Sequence, residues 1–397
     1  MRIRKYKFIL ILFSGVLFFP QCNDNNKKLK PKVTYEGDIK IIKNPNKPLH
    51  GSLSFKLKNS FVISDYKMLY HRPADIELDK DENLYLLDSS NCQIYIFDKN
   101  GRKLKSFGRR GKGPAEFESA YSLFFTKDEN LNVHDRMRIK TFNSSSTYLK
   151  DIILPTFFHK VSINSKGRIF GITRLRFEKE NKQGIVMLNE NGDVEKTIAV
   201  YPYPKRSFLK DGERYVSLFI NHRYVPKLYL ATIDHNKFLY AHSSKYRIYI
   251  INVDGKTDLI IEKVEIGKKV LKDELPFILK DFSHLEKTFP KNEIEKAIHL
   301  PARIPFFNRI LVDDEGRIYV QKIQPYTSKN DNVEFDVFNK KGFFLYRLSL
   351  DFSPEIIKKG YVYDIFYVNE SDSYKIRKYK ILNWNKIKKL ETTNEGR

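Results

Sequence analysis

Between residues 76 and 107, short apolar runs alternate with polar turns in a regular beat. The runs are 76–78 (IEL), 84–87 (LYLL), 93–97 (QIYIF) and 102–107 (RKLKSF). Between them stand Asp79-Lys80-Asp81-Glu82-Asn83, Asp88-Ser89-Ser90-Asn91 and Asp98-Lys99-Asn100-Gly101. In the last of these, Asn-Gly readily supplies positive φ angles. Four short runs rich in Ile, Leu, Tyr and Phe, each closed by a turn signal, predict four antiparallel strands. One such set fits a plain β-meander as well as a propeller blade. Repetition decides between them.

Register comes from the apolar residue that opens the second strand. Leu84, Leu131, Ile169, Leu239 and Ile318 correspond, each preceded by a polar turn: DKDEN, TKDEN, NSKGR, DHNK and DDEGR. Asx/Gly corners recur at 98–101, 189–192, 252–255 and 339–342, with a weaker form at 143–146. These are five copies of one unit. A sixth, at 361–384, is incomplete, and a closed ring needs its last blade joined to its first so that no sheet edge stays open. The strand patterns around residues 38–63 are the natural complement. The predicted fold is all-β: a six-bladed β-propeller of four-stranded antiparallel blades over residues 38–390, its closing blade shared by N- and C-terminal strands. Two intervals break the beat. Residues 201–224 carry Pro202 and Pro204 with Arg206, Arg214 and Arg223. Residues 270–300 place Leu275, Ile278, Leu279 and Phe282 on one helical face, which predicts a helical insertion capping one face of the ring.

The N-terminus follows a different pattern. Arg2, Arg4, Lys5 and Lys7 precede an apolar run at 8–19 that is 12 residues long. That is too short to cross a bilayer, which takes about 20, and it has the proportions of a secretory signal. Cys22 follows at once, then a polar Asn/Lys-rich stretch. Residues 1–21 therefore read as a lipoprotein signal peptide, Cys22 as the acylated mature N-terminus, and 22–37 as a flexible tether. The residue three places before the cysteine is Phe19 rather than the usual Leu, and Gln21 stands where a small residue is common. Soluble secretion after cleavage is the alternative. The expected location is the envelope of a Gram-negative bacterium, lipid-anchored to the outer membrane on its periplasmic or surface side.

Removing the signal lowers the net charge only from +24 to +20. A field that basic favours anionic partners, but the lysines are scattered rather than striped, and an exported protein rarely meets nucleic acid. Nucleic acid is therefore set aside. Past Cys22 the sole cysteine is Cys92. One thiol closes no intramolecular disulfide, so stability has to come from the core.

The segment IELDKDENLYLLDSSNCQIYIFDKNG followed by FGRRGKGPAEF resembles the NHL-type propellers of the TolB-like superfamily. More closely, it resembles bacterial lipoproteins known as six-bladed β-propeller proteins, with their pattern of FG..G.GP.EF after the first clear blade. Pro301-Ala302-Arg303 ahead of LVDDEGRIYV also fits that family. Departures are Ala115 in place of glycine and the lack of an Asp after the second strand in the third to fifth blades. The resemblance implies an envelope propeller, commonly without known catalysis, and carries over no catalytic residue.

Three groups of residues bear on chemistry. The loop Gly108-Arg109-Arg110-Gly111-Lys112-Gly113 looks like a phosphate cradle. Such a cradle needs a helix N-terminus after it, whereas here a strand follows and Pro114 removes an amide donor. It is better read as the corner between two blades. The starts of the inner strands point to a channel mouth at Asp75, Tyr121, His159, Lys160, Tyr229, Asn308 and Arg309, with His71 and Arg72 just upstream. Such a mouth suits a polar or anionic ligand; a water-filled channel without a ligand is the alternative. Finally, His134, His242 and His159 come from different blades and could hold a divalent metal, but no HxH or HExxH spacing and no nucleophile motif accompanies them. The leading expectation is a non-catalytic envelope lipoprotein that binds a ligand or protein partner at its channel mouth or rim loops, without cofactor, metal or catalytic residues. The alternatives are a metal-dependent propeller lyase or lactone hydrolase and a structural scaffold of an envelope complex.

Overall fold

The structure is a computed structural model that describes residues 30–64, 69, 71–177, 180–211, 214–218 and 220–392. The signal and Cys22 lie outside the described residues. Six antiparallel sheets form the blades of a β-propeller. Blade 1 comprises Asp75–Leu78, Leu84–Asp88, Gln93–Phe97 and Lys103–Phe107. Blade 2 spans Ala120–Phe125 to Tyr148–Ile153, and blade 3 Phe158–Ile163 to Val194–Pro202. Blade 4 runs from Leu228–Asp234 to Thr257–Lys263 and blade 5 from Phe307–Val312 to Phe344–Leu350. The predicted register holds: Leu84, Leu131, Ile169, Leu239 and Ile318 are all at most 2% exposed.

The burial pattern explains why the second strands read as continuous apolar runs. Each blade is sandwiched between two neighbours, so both its faces are covered; Leu84–Asp88 and Leu131–Asp135 are buried at every position. The outer strand Lys103–Phe107 is almost wholly exposed, which is why its pattern is half lysine. The core accordingly lies in the seams between blades. Leu87, Ile94 and Phe117 fill the seam with Leu123 and Val133 of blade 2, and Tyr363 and Ile376 of blade 6 meet Leu78 and Leu86 of blade 1. Turn chemistry is local. Asp98 Oδ1 accepts the backbone N–H groups of Asn100 and Arg102 at 2.9 and 2.8 Å, and Gly101 takes φ 84°.

The N-terminal strands are β1 (Lys32–Glu36), β2 (Ile39–Asn44), β3 (Ser52–Leu53) and β4 (Leu57–Ile63). Only β4 closes the ring, as the outer strand of blade 6 beside Ser373–Ile381, Tyr361–Val368 and Ile356–Lys358. The rest of the 38–63 region does something else. β2 adds in parallel to the outer strand of blade 4, and β3 in parallel to that of blade 5. The chain therefore wraps the outside of blades 4 and 5 before closing blade 6. β1 pairs with β2, so Lys32–Glu36 is strand where the sequence suggested tether.

Both interrupting segments rise from the same side, called here the upper face, where the inner strands begin. The hairpin Ser207–Asp211/Arg214–Leu218 packs on the short helices α1 (Leu275–Lys280) and α2 (Lys291–Ala297). Their shared core holds Leu209, Ile220, Tyr224, Ile278, Leu279 and Ile294. Leu275 and Phe282 lean on its edge, as their helical spacing predicts. Ser207 donates its hydroxyl to the Ala297 carbonyl, and Tyr224 binds the buried Glu274 carboxylate, at 2.5 Å each. The two insertions thus form one lobe over blades 3 to 5. A final helix, α3 (Trp384–Thr392), seals the seam between blades 5 and 6 through Trp384 and Ile387.

Candidate functional site

Three inner strands carry one extra residue at the upper face. The pairing with the second strand skips Tyr121 between Ala120 and Ser122, His159 between Phe158 and Lys160, and Asn308 between Phe307 and Arg309. A bulge re-aims the inserted side chain and shifts the next one. Tyr121, His159 and Asn308 consequently sit exposed on the upper face, while Lys160 and Arg309 turn into the central channel. Blade 4 has no bulge at this point, and its Tyr229 packs against Phe307 at 5.6 Å between ring centres. The mouth residues therefore do not converge. Asp75, Lys160 and Arg309 line the channel. Tyr121 rests on Phe157 and His134. Asn308 borders a separate cavity with Arg223 and Tyr326, and His71 is exposed outside these cavities.

The channel encloses about 650 Å³. Its charges are largely answered by one another. Arg309 and Arg72 both bind the Glu355 carboxylate. Lys358 reaches Glu77 at 3.4 Å, and Ser162 meets Thr232 at 2.8 Å. Asp75 accepts the Leu123 amide at 2.9 Å. Burial pushes its carboxyl up to about 6 although Lys160 pulls the other way.

A larger cavity of about 960 Å³ lies off the channel, between the upper ends of blades 3 and 4 and the lobe. Its walls are Ile172, Leu228, Ile220 and Leu300 with Tyr201, Tyr203 and Tyr249. Tyr201 stacks flat on His242, 4.8 Å between centres and 5° between planes. Lys205, Lys227, Lys245 and Arg247 also line it, and none of its described lining residues is Asp or Glu. Arg247 is paired with Glu262 at 2.8 Å and Glu36 at 3.2 Å. Lys227 has no ion pair among the described residues, and burial alone lowers its pKa. His242 is 6% exposed. Its Nδ1 is 2.7 Å from Ser244 Oγ, and its Nε2 is buried with no hydrogen-bond partner among the described residues. Burial depresses its pKa to about 4, so the imidazole is neutral at pH 7. His159 borders the same cavity beside Tyr203. Of the channel-mouth residues named from sequence, it alone reaches this groove; His242, named there as a possible metal ligand, and Lys227 carry the groove's unmet polar capacity.

His134, His159 and His242 do not gather. His134 is fully buried under Tyr121 and Phe157, with its pKa lowered by burial to about 4. Among the described residues no group of three or more His, Cys, Asp or Glu side chains could hold a metal ion. The glycine loop is a corner, as its sequence suggested. Glu116 accepts the Gly113 amide at 2.8 Å and pairs with Arg109 at 2.7 Å, so the protein's own carboxylate fills the place an external anion would take. At Gly108, with φ 95°, a Cβ would lie 2.5 Å from Phe117.

Comparisons with known proteins agree with the ring. A family described as a 6-bladed beta-propeller, DUF5128, matches residues 67–242. The chain is a six-bladed propeller. No curated protein sequence matches it. Among solved structures, a protein described as exported, from Bacteroides fragilis, superposes with TM-score 0.52 at 12% identity over 86% of this chain and 99% of that one. A member of the duf4221 family from Bacteroides vulgatus gives 0.44 at 11% identity, over 82% and 97%. Virginiamycin B lyase from Staphylococcus aureus gives 0.40 at 10%, over 83% and 100%. At such identities the first likeness speaks for the fold alone, and no activity is carried over from any of the three.

Proposed function

We propose that the protein is an exported propeller, acylated at Cys22, that binds its ligand without transforming it. The ligand is an amphipathic anion seated in the groove between blades 3 and 4 and the lobe. The observation that carries this reading is Lys227: a half-buried ammonium with no carboxylate among the groove's described lining residues. A buried charge costs free energy unless it is paired, and an incoming carboxylate, sulfate or phosphate would pair it. The apolar and aromatic wall would hold the ligand's body, and His242 Nε2 offers a further hydrogen bond. Most ligand sites combine such walls with few polar groups.

Titration with the fluorescent anion anilinonaphthalene sulfonate tests the reading. Saturable binding to the wild type is expected, with affinity about tenfold weaker in Lys227→Met, the order of one charge-assisted hydrogen bond. An uncharged naphthalene amide should not displace the dye. Equal binding by both proteins would refute the groove as the anion site. A second reading, a scaffold that docks a protein partner, draws support from the hairpin of the lobe, where Phe208 and Tyr215 are 62% and 69% exposed.

A further inference from the structure

We propose that the upper rim of blade 4 is a docking surface for an anionic lipid leaflet. The inference rests on the Cys22 anchor proposed above and supplies the orientation that an anchor alone leaves open.

Strand direction provides the first step. Lys32 opens β1 opposite Lys43, Lys43 lies beside Glu262, and Glu262 faces Arg247. Arg247 begins its strand at the upper face, on the wall of the groove. β1 therefore starts at the upper face, on the outer edge of blade 4. Nine residues separate Cys22 from Lys32, and a chain of that length spans at most about 35 Å fully extended. The opposite ends of the same strands lie roughly 20 Å further off. Of the two ends of blade 4, the upper one is the end an acylated Cys22 holds nearest the bilayer.

The surface found there suits that neighbour. The chain leaves blade 4 through Val264, whose amide donates to the Asn44 carbonyl at 2.9 Å, at the end of β2. Val264 is 67% exposed, Ile266 85% and Leu271 54%. Interleaved with or flanking them are the exposed lysines Lys30, Lys32, Lys43, Lys47, Lys268 and Lys269. Nearby carboxylates are mostly spoken for. Glu262 is paired with Arg247, and Glu265 with both Lys263 and Lys322 at 2.6 Å; Asp273 is exposed. Apolar side chains set among lysines match an interface in which the former enter the headgroup region and the latter meet anionic lipid. The groove opens on the same face, so a docked ring would present it beside the leaflet.

The test uses the full-length acylated protein reconstituted on phosphatidylcholine vesicles containing one quarter phosphatidylglycerol. A polarity-sensitive dye is placed at Ile266→Cys or, on the lower face, at Lys127→Cys; the remaining described thiol, Cys92, is buried. At 266 the emission should shift to the blue and be quenched by nitroxide lipids, and at 127 neither should happen. Lys268→Glu/Lys269→Glu, two exposed changes that spare the core, should weaken the bilayer signal at 266 by roughly tenfold or more. Protein that floats with the vesicles while its 266 dye stays in water overturns the docking surface and leaves the anchor standing. Protein that does not float, and behaves as Cys22→Ala does, overturns both.

Discussion

Lys263 and Asp336 form a fully buried ion pair across the seam between blades 4 and 5, Nζ to Oδ2 at 2.6 Å. The pair does not stand alone. Lys263 also reaches Glu265 at 2.6 Å, and Asp336 accepts from Tyr246 at 2.8 Å and from Arg347 at 3.2 Å. Burial alone would raise the Asp336 carboxyl, but Lys263 and Lys322 hold it below its ordinary value.

Asp336→Asn leaves Lys263 buried with Glu265 as its remaining anion. A loss of about 3 kcal/mol is expected at pH 7 from denaturant midpoints, the usual scale for breaking a buried pair. Because the native pKa is depressed, this contribution is present above the unfolded carboxylate value near 4 and fades as pH falls through the lower native value. The mutational difference should therefore shrink as pH falls below the unfolded carboxylate value. Replacing both partners, as Lys263→Met/Asp336→Leu, should cost less than the single change.

Acid stability pits Asp75 against the buried histidines. Asp75 has a raised native pKa, about 6; its neutral form is favoured by folding, so it withdraws stability as pH rises from about 4 to 6. His134 and His242 have native values depressed to about 4, so their contribution is complete above the unfolded value near 6.5 and is lost as pH falls toward 4. Burial lowers His50, His159 and His222 in the same sense. Burial raises Asp313 and Asp364 in the same sense as Asp75, but the five histidines outnumber the three aspartates, and stability is expected to rise between pH 4 and 6.5. Asp75→Asn should steepen that rise, matching or exceeding the wild type at pH 7 and gaining nothing at pH 4. A flattened profile in the variant would contradict the assignment.

Blade 1 was readable because its determinants are local: Asp79 binds the amides of Asp81 and Asn83, and Asp98 those of Asn100 and Arg102. The outer belt was not, because the pairing of Lys40 with Leu259 is parallel and spans more than two hundred residues, and nothing near β2 specifies it. The same limit governs the site. Period-two alternation alone sends neighbouring residues to opposite sides, and a one-residue bulge reverses the assignment. Counting from strand starts therefore placed Tyr121, His159 and Asn308 in a mouth they leave. The groove joins Tyr201 of blade 3 to His242 of blade 4 under a lobe built from two separate insertions. No spacing records that meeting. The one local hint was the clustering of Tyr201, Tyr203 and cations in the segment that broke the repeat.

Trp384 offers a check on the C-terminal seal. The Arg317 guanidinium lies 4.3 Å from its ring centre and is bound by Asp313 at 2.6 Å. Both Arg317 and Asp313 are buried, so the helix that carries Trp384 covers charges as well as apolar surface. Trp384→Ala should cost about 3–5 kcal/mol, read by circular dichroism on denaturation. Trp384→Phe, which keeps an aromatic face toward Arg317, should lose distinctly less.

Lys227 separates binding from folding most directly. In the ligand-free protein its ammonium gives up water without gaining a carboxylate among the described residues, and its native pKa is lowered by burial. Below the unfolded lysine value that shift is a cost to the folded state. Lys227→Met keeps the length of the side chain and removes the charge, so the free protein should become more stable by about 1 kcal/mol. Anion affinity should fall in the same variant. The two effects have opposite signs because one charge is unpaired in the empty groove and paired in the filled one. A purely structural lysine would lose stability on substitution, so a lower denaturation midpoint for Lys227→Met would remove the argument for the groove.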